Sequence, residues 1–212
     1  MGDRTTPGRV YGGRTTEERT ADRRERLLDG GLNEFASRGW DGATVAGVCE
    51  RVGLSRRQFY EEHADREALF AAILERVLSD VRRVVTMAAG DTATPPEDRL
   101  RAALAAVSSY FLQDARITQV CLVESFATPR LRRLRGDALA DAATLAARMM
   151  QALRATPDQP PDPALTLSAH TLTGGLAELL IAAADGRSPG TPGAVADDVA
   201  DLFLAASRRA TR

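Results

Sequence analysis

The chain has 212 residues, of which 44% are hydrophobic, 27% charged and 5% aromatic, and this composition is that of an ordinary soluble globular protein. Alanine and leucine supply most of the apolar bulk, which favours helix. The formal net charge of -1 excludes a global basic field, so any binding to nucleic-acid phosphate must come from a local patch.

Cysteine usage and hydropathy exclude several other classes of protein. Cys49 and Cys121 lie far apart in apolar patterns, so they make neither a disulfide framework nor a metal cluster. The first thirty residues carry charges throughout and lack the apolar core of a secretory signal peptide. No uncharged apolar run has the length of a transmembrane helix. We expect a cytoplasmic protein with no membrane partner, no metal site and no cofactor.

Residues 1–20 are predicted to be a flexible tail, because glycine, arginine and proline follow no helical period at the start of the chain. Arg14 in this tail either reaches a DNA minor groove, as a basic arm does, or is disordered. Apolar residues at helical spacing then predict a first helix that ends at Gly39. Gly30 and Gly31 in its middle cost about 1 kcal/mol each relative to alanine, which suggests that another backbone packs closely there.

Local capping signals define the next three helices. Thr44 is a good N-cap for a short second helix, which stops at Gly53. Ser55 caps a third helix, and Gln58 completes the spacing of a capping box. Asp65 caps a long fourth helix whose apolar pairs recur at helical spacing.

The rest of the chain is predicted to be helical, with breaks at Pro129 and at two loops rich in proline and glycine. These helices cover residues 97–113, 115–127, 130–155, 163–186 and 193–209. The predicted fold is therefore all-α. An N-terminal three-helix helix-turn-helix domain at 21–66 is followed by a larger helical domain at 67–212.

The segment 44–63 has the anatomy of a helix-turn-helix, with a small residue inside its first helix and a glycine at the turn. Val48, Val52 and Phe59 are expected to lock the two helices at a steep angle, so that the second helix forms a ridge that fits the major groove of B-DNA. Arginine can fork onto guanine, and glutamine can pair with adenine. Both residue types stand at the start of the ridge, as Arg56, Arg57 and Gln58.

In these residues the chain resembles the TetR family of transcriptional regulators. The resemblance covers residues 22–69 in sequence, and the remainder by helical layout only. Each marker is weak alone, and together they are specific. The markers are Phe35 with Gly39–Trp40, Thr44–Val45, Val52–Gly53–Leu54–Ser55, Phe59–Tyr60 and Asp65–Arg66–Glu67.

The resemblance implies a set of DNA-binding residues. Its members are Thr44, Tyr60 and Arg66 for phosphates, and Ser55, Arg56, Arg57 and Gln58 for the turn, the bases and their flanking phosphates. Arg57 departs from the family's pattern, which usually has a small residue there. Glu61 and Glu62 also depart from it, because the family often has aromatic residues or histidines near these positions. Two carboxylates so close to the DNA would repel phosphate unless they point away or accept from cytosine N4.

Several of these positions have a plainer alternative. Arg57 could be a solvated surface charge, and Gln58 could be held against its own backbone by the capping box. The ring of Tyr60 could be buried for packing while its hydroxyl stays in water. His63 is interpreted as structural.

The resemblance further implies that the C-terminal domain binds an effector and forms a homodimer, in which an inducer changes the spacing of the two DNA-binding heads. The helix at 163–186 is apolar on two sides, so it should be buried on two sides. The helix at 193–209 carries a stripe made of Val195, Val199, Leu202, Phe203 and Ala206. Together these two helices are predicted to form a symmetric four-helix dimer interface.

The effector site is predicted from less specific signals. Glu124 shares a helix face with apolar residues, so its carboxylate is expected to point into the interior, where it would bind a cationic or hydrogen-bonding effector or pair with a nearby arginine. Phe111, Met149 and Met150 fit an adaptable apolar cavity and equally fit plain packing. Cys121 is a further candidate, and it fits core packing better than a redox sensor. His170 is as compatible with an interface or the core as with a ligand contact.

The leading hypothesis is a homodimeric, ligand-responsive transcriptional repressor that a small-molecule effector releases from a palindromic operator in double-stranded DNA. The alternative is a helical enzyme or ligand-binding protein with an appended DNA-binding head. Because the chain lacks a metal-ligand spacing, a phosphate loop and a nucleophile paired with a base, we expect no catalytic residues. The net charge argues against a non-specific architectural DNA binder, and activation instead of repression stays open.

Overall fold

The computed structural model describes residues 15–90, 93–154, 158–187 and 190–208. These residues form helices joined by turns and contain no strand, which confirms the all-α prediction. The helices are α1 (Thr16–Gly42), α2 (Val45–Val52), α3 (Arg56–Glu62), α4 (Arg66–Ala89), α5 (Pro96–Leu112), α6 (Ala115–Thr118), α7 (Pro129–Gln151), α8 (Pro163–Ala184) and α9 (Pro192–Ser207).

Helix α1 begins earlier than the sequence analysis predicted. Thr15 is its N-cap, and the Thr15 and Glu18 side chains form a capping box with each other's backbone N–H groups. Residues 16–20 are therefore helical, and the predicted tail is too long, because the capping signal precedes the first apolar residue by several positions. The rest of that tail, Arg14 included, lies outside the described residues.

The helix-turn-helix forms as predicted, through local caps. The Thr44 hydroxyl accepts from the backbone N–H of Gly47, at 2.9 Å, and starts α2. Gly53 ends α2 in the left-handed region, at φ 62°, where a Cβ would be strained. The Ser55–Gln58 capping box starts α3, and the Asp65 carboxylate caps α4. These caps confirm the boundaries that the sequence predicts for α2, α3 and the start of α4.

Other residues pack closely against Gly30 and Gly31, as predicted, but the contacts are made by side chains. A Cβ on Gly30 would lie 2.4 Å from Cγ1 of Val52, and a Cβ on Gly31 would lie 2.7 Å from Cδ2 of Leu69. Both positions therefore need glycine because α2 and α4 press their apolar side chains onto α1. The expectation that another backbone lies there is corrected to this side-chain contact.

In the C-terminal part, α5 packs against α4 and α9, and α7 packs against α8. The helix predicted at 115–127 is broken up. Helix α6 continues into a π-helical turn at Gln119–Val123 and a 3₁₀ turn at Glu124–Phe126. A π turn holds an additional residue, so side chains beyond it face a different direction from the one that a regular α-helix predicts.

Helices α8 and α9 each have one packed face and one exposed face. In the described part of the chain, α8 is also the one helix that is long and apolar enough to cross a membrane, by length and composition alone. Its Leu167 is 69% exposed, and Leu202 on α9 is 55% exposed. Val199 and Phe203 of the predicted α9 stripe are buried, whereas Leu202 faces outward. Each helix of this pair therefore exposes one large apolar side chain, among charged residues such as Glu178 and Asp198.

Candidate DNA-binding surface and ligand cavity

Helix α3 is held by one buried aromatic residue and presents two arginines and a tyrosine to solvent. Phe59 is fully buried, and its ring packs edge-on against Tyr60, with ring centroids 5.4 Å apart. Tyr60 itself is 57% exposed, and Arg56 and Arg57 are also exposed. The ridge that the sequence predicts is therefore a solvent-facing surface of two arginines and a tyrosine, which we call the α3 surface.

Arg57 is bound only weakly within the protein. Its Nε lies 3.3 Å from Oε1 of Glu61, one helical turn along α3, and its side chain is 90% exposed. Such an exposed pair contributes little free energy, about 0.3–0.5 kcal/mol, so a DNA phosphate or base can compete for the guanidinium.

The side chains of Ser55 and Gln58 form the N-terminal cap of α3. The Gln58 side-chain oxygen accepts from the Ser55 backbone N–H at 2.9 Å, and the Ser55 hydroxyl accepts from the Gln58 backbone N–H at 3.2 Å. The Gln58 side chain is therefore held against its own backbone by the capping box, which is the plainer alternative given above. A base contact by Gln58 would require its side-chain oxygen to leave this cap.

Arg66, which is predicted to contact a phosphate, also makes contacts within the domain. Its Nη1 donates to the backbone oxygens of Trp40, at 2.9 Å, and Ala43, at 2.7 Å. Its Cζ lies 4.3 Å from the centroid of the Trp40 ring. The guanidinium thus ties the start of α4 to the end of α1, and its phosphate contact stays a prediction.

Glu62 would repel a DNA phosphate if it lay on the α3 surface, but its side chain points away from that surface. Its side chain is 3% exposed and accepts from Nε of Arg23, at 2.8 Å, and from Nε of Arg24, at 2.6 Å. Burial alone would raise the pKa of Glu62, but the hydrogen bonds from Arg24 and Arg23 outweigh it, and the pKa is lowered. This pairing joins α3 to α1 and was missed because the partners lie far apart in sequence.

A second buried carboxylate, which the sequence analysis also missed, fixes α2 on α1. Glu34 is fully buried on α1, and its Oε2 accepts from Nε of Arg51 at 2.7 Å. A Cβ on Gly47 would lie 2.1 Å from Oε1 of Glu34, which explains the glycine in the first turn of α2. His63, at the end of α3, is structural as predicted, because it packs beside Phe59 and burial lowers its pKa.

A cavity of about 540 Å³ lies among helices α4, α5, α7 and α8. Its interior is apolar, and three of the residues predicted for the effector site, Phe111, Cys121 and Met149, line it. Burial raises the pKa of Cys121 to about 12, so its thiol is an unreactive part of the wall. Among the described residues, no cluster of three or more histidines, cysteines or carboxylates could hold a metal ion.

Glu124 and His170, also predicted for the effector site, lie outside this cavity. The Glu124 carboxylate accepts from the backbone N–H of Trp40, at 2.8 Å, and from the side-chain amide of Gln119, at 2.9 Å. The prediction assumed a regular helix, and the π turn before Glu124 directs it to the end of α1 instead. His170 is exposed on α8, with Nδ1 3.0 Å from the backbone oxygen of Thr166.

Comparison with known proteins agrees with this geometry. The family model for bacterial regulatory proteins of the tetR family matches residues 27–73, which include α2, α3 and the start of α4. YdgC of Bacillus subtilis, an uncharacterised HTH-type transcriptional regulator, is 27% identical over 117 residues, or 54% of this chain and 58% of YdgC. The HTH-type transcriptional repressor AcnR of Corynebacterium jeikeium is 35% identical over 71 residues, or 34% of this chain and 36% of AcnR.

The chain thus spans less than two thirds of the length of these curated relatives. Similarity of fold extends further. The transcriptional regulator FadR from Bacillus subtilis, solved in complex with stearoyl-CoA, superposes with a TM-score of 0.73 at 14% identity, over 86% of this chain and 98% of FadR. The family match thus covers the helix-turn-helix segment and the start of α4, and the likeness to FadR shows a shared helical fold over most of the chain.

Proposed function

We propose that this protein is a ligand-responsive transcriptional repressor that acts in the cytoplasm, binds a palindromic operator as a homodimer and leaves it when a small molecule occupies the cavity. The observation that carries the proposal is the α3 surface. Arg56, Arg57 and Tyr60 are exposed together on a helix that the buried Phe59 anchors. An α-helix presented in this way enters the major groove of B-DNA.

The proposed DNA contacts differ from the full set of residues that the sequence suggests. Arg56 and Arg57 are proposed to reach base edges or adjacent phosphates, and Tyr60 to donate its hydroxyl to a phosphate. Thr44 stays in the set, because it is exposed at the start of α2 and its own hydroxyl can still donate. Ser55 and Gln58 are left out, since both side chains form the cap of α3. Arg66 stays in the set, because its Nη1 makes the contacts to Trp40 and Ala43 and the guanidinium has further N–H donors.

Exposed apolar side chains and small residues on α8 and α9 support the homodimer. Leu167 and Leu202 are exposed there, and Cβ atoms added at Gly174 and Gly175 would meet open space, so a second copy can approach α8 closely. Two such helix pairs would form a four-helix interface with twofold symmetry. The two α3 helices would then read half-sites separated by about 34 Å, or a multiple of it.

The ligand response is proposed to run from the cavity wall to the DNA-binding domain. Cys121 and Leu122 line the cavity and belong to the π turn, and Glu124 follows directly after that turn. Glu124 accepts from the Trp40 N–H, and Arg66 holds the Trp40 carbonyl and ring. A ligand that moves the π turn would therefore move the end of α1 and change the spacing of the α3 helices. The name of AcnR as a repressor and the stearoyl-CoA complex of FadR favour repression with ligand release.

Selection from a random double-stranded DNA library tests the proposal, followed by fluorescence anisotropy with the recovered sequence. The double variant Arg56→Ala/Arg57→Ala should bind at least about 30-fold more weakly, because a bidentate arginine–base contact contributes about 1–3 kcal/mol. The matched control Arg130→Ala/Arg133→Ala removes the same charge from exposed positions on α7 and should bind like the wild type. Equal binding by the α3 double variant and the wild type would refute the proposed DNA-binding surface.

A further inference from the structure

The charged residues that line the cavity are unequal in sign. Arg82, Arg135 and Arg148 contribute three positive charges, and Asp141 contributes the single carboxylate among the described lining residues. Arg82, Asp141 and Arg148 are exposed and therefore stand at the rim, whereas the interior is made of leucine, valine, alanine and aromatic side chains. The cavity is thus an apolar space with an excess of positive charge at its edge.

Asp141, the one carboxylate in the described lining, already forms an ion pair with an arginine. Asp141 lies 3.4 Å from Nη2 of Arg82, so this pair is close to neutral as seen from the cavity. Arg135 and Arg148 have no second carboxylate in the described lining. A ligand that brings a negative charge to this edge would compensate them, and a cationic ligand would be repelled.

Arg135 is the guanidinium best placed to meet such a charge. Its Cζ lies 4.2 Å from the centroid of the Phe126 ring, which holds it by a cation–π contact. Its Nε is buried and has no hydrogen-bond partner among the described residues. Burial lowers the pKa of Arg135, against a smaller opposite effect of Glu178, which is exposed on α8. Because Arg135 lines the cavity, an anionic head group would pair with the rest of its guanidinium.

We propose that the cavity binds an elongated amphipathic anion, whose apolar carbon chain fills the interior and whose acidic head group lies against Arg135 and Arg148. This inference rests on the proposed function, because it names the class of ligand for the proposed effector site. The prediction of a cationic effector depended on a carboxylate inside the cavity, and Glu124 does not supply one. Glu124, which was expected to supply a carboxylate to the cavity, is bonded to Trp40 and Gln119 outside it.

A fatty acid and its coenzyme A thioester share this chemistry, since both join an acyl chain to a negatively charged head. They differ in where the charge begins. In a free fatty acid the carboxylate sits at the end of the chain and can reach Arg135, whereas the thioester is neutral at that point and its phosphates lie farther out. Exposed Arg148 at the rim can meet such distant phosphates.

Direct binding to the full-length protein without DNA tests the ligand class, by isothermal titration with four probes that share one chain. These are dodecanoate, dodecanoyl-CoA, the neutral dodecanol and the cationic dodecylammonium ion, each below its micelle concentration. Dodecanoate or its thioester should bind about 10- to 100-fold more tightly than dodecanol, because a charge-assisted hydrogen bond is gained. Dodecylammonium should bind most weakly of the four. Within the series from octanoate to dodecanoate, each added methylene should tighten binding about three- to fourfold.

Variants then assign the head-group site. Arg135→Met should remove the preference for dodecanoate over dodecanol while leaving dodecanol affinity within about twofold, which shows that the cavity is still folded. Arg148→Met should weaken dodecanoyl-CoA more than dodecanoate. The matched control Arg133→Met, at an exposed position of the same helix outside the cavity lining, should change neither ratio.

The outcomes separate this inference from the proposed function. Equal affinity for dodecanoate and dodecanol, tighter binding of dodecylammonium, or no binding of any probe would overturn the amphipathic anion, even if the protein binds its operator. Preferential binding of the anions that leaves operator affinity unchanged would support the ligand class and refute ligand release. An unchanged preference in Arg135→Met would overturn the assignment of that residue.

Discussion

Replacing Glu124 tests the contact that joins the end of α1 to the cavity wall. In Glu124→Ala the backbone N–H of Trp40, which donates to the carboxylate at 2.8 Å, loses its acceptor. Because a hydrogen bond to a charged group contributes about 1.5–3 kcal/mol, we expect unfolding free energy to fall by that amount. The half-buried Gln119 amide can turn to water, so its bond at 2.9 Å adds little to the loss.

Glu124→Gln provides a graded comparison. Its amide oxygen can still accept from Trp40, but a neutral acceptor forms a bond about half as strong as a carboxylate, so the loss should be about half as large. Glu75→Ala, at an exposed position on α4, is the control and should stay within about 0.5 kcal/mol of the wild type.

Urea unfolding monitored by tryptophan fluorescence measures these differences directly, because Trp40 is the single tryptophan of the chain and lies at this contact. The effect of ligand on operator affinity should also shrink in Glu124→Ala, whereas ligand binding without DNA should be unchanged. If Glu124→Ala matched Glu75→Ala in stability and kept the full ligand response, the proposed connection through Trp40 would be wrong.

Three further predictions concern the stability and reactivity of buried groups. Phe59→Ala should lower the unfolding free energy by about 3–5 kcal/mol, whereas Tyr60→Ala should change it by under about 0.5 kcal/mol; similar urea midpoints for the two variants would contradict the anchoring of α3. Burial lowers the pKa of His63 below 6.5, so as the pH falls the unfolded chain binds a proton at this residue before the folded protein does, and stability should fall as pH drops below 6.5. His63→Leu should flatten this part of the plot of stability against pH. An unchanged slope in this variant would contradict the burial of the ring. Iodoacetamide should modify Cys121 only after denaturation, because burial raises its pKa to about 12, and rapid labelling of the native protein followed by mass spectrometry would contradict a closed cavity wall.

Local signals explain why the helix-turn-helix could be predicted well from the sequence. The caps at Thr44, Ser55 and Asp65 each depend on a backbone N–H three residues away, so a window of a few residues contains the whole interaction. Glycine at position 53 has the same local character, because the left-handed turn requires it whatever packs around it. The exposure of the α3 surface then follows from the helix-turn-helix geometry.

The interactions that the sequence analysis missed depend on contacts between distant segments. Glu62 is paired with two arginines of α1, and Arg66 donates to carbonyls at the end of α1, so neither side chain has a partner that a local pattern could identify. Glu124 was misplaced for a different reason. Helical periodicity cannot reveal a π turn, which changes the direction of the side chains after it without changing the apolar pattern.

The most direct test of the central claim is fluorescence anisotropy of the purified protein with DNA from upstream of its own gene, against random DNA of equal length, at two salt concentrations. A specific operator-binding protein should prefer the upstream fragment by about a thousandfold or more, and the preference should persist at the higher salt concentration. Adding dodecanoate should then release the DNA. Equal, weak and steeply salt-dependent binding to both DNAs, repeated with sequences selected from a random library, would contradict the assignment of α3 as a sequence-reading helix.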